Sequence, residues 1–180
     1  MGGRLRLFVA LDLPPRAVRA LAGFASAAAR DGLRLVPAES LHVTLAFLGH
    51  RPEEDAEAVA GALEGVPAAP VRLRLGAPAW LPPRRPGVLA VDLVDCDGAC
   101  ARMQSAVSAT LVDLGVFTPE RRAFRPHVTV ARVRKGARVD RDVPEIADAG
   151  TFAATSVTLY RSLLSPKGAS YHALTRTPLT

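Results

Sequence analysis

Lysine is nearly absent from this chain of 180 residues, where Lys135 and Lys167 are the only two. The net charge of +6 and the isoelectric point of about 10.3 therefore rest on arginine, whose planar guanidinium grips phosphate through two parallel hydrogen bonds. Such a basic surface favours an anionic partner, such as RNA, a phosphate ester or a membrane face. An Ala-, Arg- and Pro-rich composition also follows from a GC-rich genome, so composition alone does not choose. Cysteine is equally scarce. Cys96 and Cys100 stand at a C-x3-C spacing with no second pair and no nearby histidine to complete a zinc site, and they read as ordinary thiols. No apolar run approaches the ~20 residues needed to cross a bilayer. The apolar start is cut by Asp12 and followed by Pro14-Pro15, so it is not a signal peptide. The expectation is a cytoplasmic monomer without a membrane partner. With 49% apolar residues the chain is not disordered, and its length suits one compact domain or two small lobes that share a core.

What the chain does have is one phrase spoken twice. His42-Val43-Thr44-Leu45-Ala46-Phe47 returns as His127-Val128-Thr129-Val130-Ala131-Arg132, the two histidines 85 residues apart (127 − 42) in a sequence with only 4 histidines. This is internal duplication. His and Thr at i and i+2, with apolar residues between and after them, fit a half-buried strand whose side chains point alternately to opposite faces. His42 and Thr44 then share one face about 6 to 7 Å apart, while Val43, Leu45 and Phe47 are expected to face the core. Two such strands brought together present two imidazoles and two hydroxyls across one groove, the equipment for acid/base work on an anion. One copy alone would read as the polar face of a solvated strand; the matched pair does not.

The rest of the chain fits around these strands. Residues 4 to 11 read as a strand, and Pro14-Pro15 suits a helix start because the first turn has no intrahelical use for its N–H groups. Val18, Leu21, Ala25 and Ala28 trace that helix's buried face. Leu33 to Val36 is a short strand, Pro37 to Ser40 a turn, and residues 41 to 48 the first motif strand, broken at Gly49 to Pro52. Glu53-Glu54-Asp55 favours a helix N-terminus, with Ala56, Val59 and Leu63 buried. Residues 71 to 75 alternate as a strand, and the Pro-, Gly- and Arg-dense stretch 76 to 87 reads as a surface loop whose Trp80 could stack a nucleobase but is preferred as an anchor to the core. Residues 88 to 94 are a strand. Asp97 caps a helix carrying Cys100, Met103, Val107, Leu111 and Leu114 on one face. Residues 127 to 133 form the second motif strand, 135 to 150 a long loop or lid, and 157 to 164 and 171 to 177 the last two strands. Residues 1–180 are thus expected to form one α+β domain of two pseudo-symmetric lobes, antiparallel sheets with outer helices, and the two H-x-T-x motifs in a central groove.

Four blocks carry a resemblance: Leu5-Arg-Leu-Phe-Val-Ala-Leu-Asp-Leu-Pro14, Leu41-His-Val-Thr-Leu-Ala-Phe-Leu-Gly49, Arg125-Pro-His-Val-Thr-Val-Ala-Arg132 and Thr158-Leu-Tyr-Arg-Ser-Leu-Leu-Ser-Pro-Lys-Gly-Ala-Ser-Tyr171. In that order, over nearly the whole chain, they resemble the bacterial and archaeal RNA 2′,3′-cyclic phosphodiesterases of the 2H phosphoesterase superfamily, also known as 2′-5′ RNA ligases. The resemblance implies a bilobal fold, hydrolysis of an RNA end bearing a 2′,3′-cyclic phosphate to a 2′-phosphate, and no metal or cofactor. It makes His42 the proton donor and His127 the acceptor, with Thr44 and Thr129 bonding the phosphate oxygens. Two arginines are candidate phosphate or RNA contacts, Arg125 from strand phase and Arg132 from resemblance, since strict alternation turns Arg132 away unless the strand bulges. Phe8 lines the groove, stacks on a base or joins the core. His50 and His172 are read as structural or exposed.

The chemistry suits these residues. A strained cyclic phosphodiester needs a placed water and two managed protons, and imidazole, with an ordinary pKa near 6.5, serves as either acid or base at neutral pH. Hydroxyls and an arginine offset charge on the nonbridging oxygens. The rival readings are cleavage or ligation of 2′,5′-linked RNA in the same groove and a non-catalytic RNA- or nucleotide-binding module. A two-histidine metal site ranks lower, because no Asp, Glu or Cys stands at ligand spacing from either histidine.

Overall fold

The computed structural model describes residues 3–166 and 168–180. The chain runs β1 (Arg4–Asp12), α1 (Pro15–Ala27), β2 (Leu33–Leu35), a single 3₁₀ turn (Ala38–Ser40), β3 (His42–Pro52), α2 (Glu53–Leu63), β4 (Arg72–Leu81), β5 (Val88–Asp95), α3 (Ala99–Asp113), β6 (His127–Val133), β7 (Phe152–Ala153), β8 (Ser156–Ser165) and β9 (Gly168–Pro178). All pairings are antiparallel, in a four-stranded sheet ordered β3-β1-β8-β9 and a five-stranded sheet ordered β2-β6-β5-β4-β7. The duplication is visible as two strand–helix–strand units, β1–α1–β3 and β5–α3–β6, each ending in a motif strand beside its partner. The halves also exchange material: β2 edges the second sheet, and β8 and β9 complete the first.

Local chemistry explains the elements. Pro14 is extended at the cap of α1 and Pro15 occupies its first turn, where a missing N–H costs nothing. The orphan N–H groups of α3 are taken by carboxylates, Ala99 by Asp97 at 3.0 Å, and Cys100 and Ala101 by Asp95 at 3.2 and 2.9 Å. In β1, Leu5, Leu7, Val9 and Leu11 alternate into the common core with Val43 of β3, Leu89 and Val91 of β5 and Val128 and Val130 of β6. Each such side chain contributes about 1.5–3 kcal/mol by leaving water. Core burial therefore fixes the phase of the motif strands, and His42, Thr44, His127 and Thr129 are left on the opposite face.

Several expectations shift. β3 does not stop at Gly49 but continues to Pro52. Gly49, at φ 72°, pairs with Leu7 where the register slips between Leu7 and Phe8, so the glycine accommodates an irregularity inside the strand rather than ending it. β4 likewise extends through Trp80 to Leu81. Trp80 does anchor, with its indole N–H donating to the Arg141 carbonyl at 3.0 Å. Ala17 is fully buried in α1 while Val18 is only partly buried against the core, and Leu114 is exposed beyond the end of α3. The long connection from β6 to β7 is a strap. Arg141 donates to the Pro83 carbonyl at 2.9 Å, Arg30 to the Asp142 carbonyl at 2.5 Å, and Val139, Val143 and Ile146 pack against the core. The junction of β8 and β9 includes Lys167, which lies outside the described residues.

Candidate active site

Both motif strands bulge, and at the same place. Between β1 and β3 the register steps from Ala10↔Thr44 to Val9↔Ala46, leaving Leu45 as the extra residue; between β5 and β6 it steps from Ala90↔Thr129 to Leu89↔Ala131, leaving Val130 extra. One inserted residue reverses the side-chain phase beyond it. Leu45 and Ala46 are consecutively buried, as are Val130 and Ala131, and the next residue of each copy, Phe47 or Arg132, turns outward. Phe47, expected in the core, is 45% exposed. On the other side of β6 the Val130 carbonyl accepts the Val36 N–H at 2.9 Å, which continues the pairing with β2.

Arg132 thereby lines a cleft together with His42, Thr44, His127, Thr129, Ser40, Val36 and Tyr171. The duplicated motif converges on this one cleft, and the histidines are held alike. Nδ1 of His42 lies 2.8 Å from the Ser40 carbonyl and Nδ1 of His127 lies 2.8 Å from the Arg125 carbonyl, in each case the residue two positions earlier. A carbonyl can only accept, so Nδ1 carries the proton in both rings and Nε2 is left as the free ring nitrogen. Thr44 Oγ1 lies 3.1 Å from His42 Nε2 and donates to it while the ring is neutral. Burial pushes the His42 pKa below its ordinary 6.5, with Arg132 and His127 lowering it further, against upward pulls from the Ser40 hydrogen bond and from Asp12.

Behind His42 stands an aromatic cluster. The Phe8 ring is 4.8 Å from the imidazole and 5.2 Å, stacked, from Tyr160, while Tyr171 meets His42 edge-on at 5.2 Å. Phe8 is 3% exposed yet belongs to the groove side of β1, covered by these rings. Beneath them, the Asp12 carboxylate accepts Ser156 and Thr158 hydroxyls at 2.8 Å each, the Tyr160 hydroxyl at 2.6 Å and Arg176 Nε at 3.3 Å. Burial, then the Asp12 hydrogen bond, push the Tyr160 phenol up to about 12.

Arg125 does not line the cleft. β6 begins only at His127, so strand phase does not reach back across Pro126, and the guanidinium instead meets the Asp92 carboxylate at 2.9 and 2.5 Å. What Arg125 offers the site is its carbonyl, to His127. His50 and His172 are exposed and outside the cleft. Sequence reasoning missed Asp12, Tyr160 and Ser40. The one available signal was a carboxylate closing the apolar run of β1, and nothing in the sequence showed which hydroxyls would converge on it. Among the described residues no three His, Cys, Asp or Glu side chains gather to hold a metal ion, and no helix is long and apolar enough to cross a membrane.

A family model described as the 2'-5' RNA ligase superfamily matches residues 12–165, the span that holds both motifs. The chain belongs to the 2'-5' RNA ligase superfamily. Within it, the chain is similar to a protein of Aeropyrum pernix named RNA 2',3'-cyclic phosphodiesterase, 31% identical over 150 residues that cover 79% of this chain and 84% of that one. A protein of the same name from Thermus thermophilus is 32% identical over 179 residues, covering 94% of this chain and 88% of that one. A crystal structure of a Thermus thermophilus protein superposes with a TM-score of 0.82 at 31% identity, over 97% of both chains. The superfamily's two-sheet α+β architecture is thus the architecture of this chain.

Proposed function

We propose that this cleft hydrolyses the 2′,3′-cyclic phosphodiester at an RNA end to a 2′-phosphomonoester, with His42 as proton donor, His127 as proton acceptor and no step routed through a metal. The observation that carries the reading is the matched pair of Nδ1–H bonds to carbonyls two residues back, which leaves two Nε2 atoms on one cleft. The names of the relatives support the substrate class.

In this scheme His127 Nε2, neutral, takes a proton from water as its oxygen attacks phosphorus, and the bond from phosphorus to the ribose 3′-oxygen breaks. His42 Nε2–H supplies the proton that the 3′-oxygen needs to depart. Thr44, Thr129 and Arg132 face the nonbridging oxygens and offset their charge. Burial keeps the empty site's His42 neutral more readily than usual, so its acid role requires the substrate's own negative charge. The arriving phosphodiester anion favours the protonated ring, and Thr44, a donor to the neutral ring, becomes free to bond the phosphate. The Phe8, Tyr160 and Tyr171 rings fix the imidazole plane, and Asp12 fixes Tyr160.

The test is incubation of the purified protein, with EDTA, with RNA ending in a 2′,3′-cyclic phosphate. Conversion to a 2′-phosphate, lost in His127→Ala, is the expected result. Tight binding without conversion would make this a binding module, and joining of ends through a 2′,5′ bond would make the ligation reading the better one.

A further inference from the structure

The two motif strands end differently, and the difference is built into the sheets. On β3 the residue after the bulge is Phe47, paired with Phe8 of β1. On β6 it is Arg132, paired with Arg34 of β2. Directly opposed residues of an antiparallel pair project from the same face with their Cβ atoms about 4.5–5.5 Å apart, and like charges so placed are destabilising. Neither arginine has a carboxylate within ion-pair reach; among the described residues the two ion pairs are Arg125–Asp92 and Arg176–Asp12. Arg132 already lines the cleft. The Arg34 guanidinium reaches across to the β8–β9 hairpin, where a Cβ on Gly168 would stand 3.5 Å from its Cζ. It thus lies between the second sheet and the hairpin that carries Tyr171. Arg132 lines the cleft and Arg34, just outside its lining, stands opposite it in the sheet, and neither cation is paired with a carboxylate.

We propose that Arg34 is a specificity-determining residue that binds a second phosphate of the substrate, beside the phosphate held at Arg132. This rests on the function proposed above. In a terminal nucleotide whose 2′- and 3′-oxygens are closed in the cyclic phosphate, the other phosphate is the one on the 5′-oxygen. The protein therefore discriminates in favour of ends that carry phosphate on the 5′ side of the terminal nucleotide over a bare nucleoside 2′,3′-cyclic phosphate. A phosphate on each of the two opposed guanidiniums relieves their repulsion, and each arginine gains a charge-assisted hydrogen bond of its own.

The experiment compares kcat/KM on three substrates: a nucleoside 2′,3′-cyclic phosphate, the same compound with a 5′-phosphate, and a dinucleotide ending in the cyclic phosphate. The unaltered protein is expected to prefer each of the last two by about tenfold or more, the effect of one hydrogen bond to a charged group. Arg34→Gln should bring both ratios near one, and Arg34→Lys should restore part of them. A gain for the 5′-phosphate but not the dinucleotide would assign the site to free mononucleotides and overturn the RNA form of the proposal. Equal losses on all three substrates, or ratios unchanged in Arg34→Gln, would overturn the inference while leaving hydrolysis intact. An unaltered protein inactive on all three would remove the proposed function and the inference with it.

Discussion

Replacing Asp12 by alanine removes the acceptor on which four side chains converge. Ser156 and Thr158 are 6% and 0% exposed, so water does not replace the carboxylate for them. Their hydroxyls lie 3.4 Å apart, and one can donate to the other, which leaves one donor stranded at about 1–3 kcal/mol. Tyr160 also loses a short bond to a charged acceptor but is only partly buried, and Arg176, its side chain 61% exposed, adds nothing worth counting. The expected cost is about 2–4 kcal/mol, a large share of the roughly 5–15 kcal/mol that holds a typical domain folded. A urea titration at neutral pH should show a lower midpoint at unchanged slope. Asp12→Asn keeps one carbonyl oxygen and should cost about half as much, but it removes the negative charge that pulls the His42 pKa upward. The His42 resonance should then titrate at lower pH than in the unaltered protein. An alanine variant within about 0.5 kcal/mol of the parent, or an asparagine variant with an unmoved His42 titration, would refute the idea that Asp12 organises this end of the groove.

The other predictions concern the imidazoles. By NMR, His42 should titrate below 6.5 in the free protein and higher when inorganic phosphate fills the cleft, so phosphate binding near neutral pH should take up protons. Because the unfolded chain binds a proton at His42 more readily than the folded one, stability should fall as pH drops below about 6.5 and level off beneath the folded-state pKa; His42→Gln should flatten that slope. His42→Ala and His127→Ala should each remove most activity, with the double variant little worse than either, since the two rings act as one unit. Independent, additive losses would argue against a shared cleft.

The histidines and threonines were legible in the sequence because alternation and duplication are local patterns, and burial of Val43 and Val128 leaves no other phase. Phe47 and Arg132 were not legible from alternation. Their orientation depends on Leu45 and Val130 being skipped in the ladders with β1 and β5, which is a property of pairing between distant segments. The resemblance did single out Arg132, and the bulge supplies the physical reason it turns into the cleft. Arg125 misled for the opposite cause: phase was extended through a proline to a residue outside the strand. Arg34 gave no signal of its own in the sequence, because its partner across β2–β6 lies far along the chain.

The most direct test of the two-histidine mechanism is a cyclic substrate in which sulfur replaces the 3′-oxygen. Sulfur departs without protonation, so this substrate should largely restore turnover to His42→Ala, which lacks the proposed acid, and should not restore it to His127→Ala, which lacks the base proposed to activate water. Rescue of the His127 variant instead, or of neither, would contradict the roles assigned to the two imidazoles.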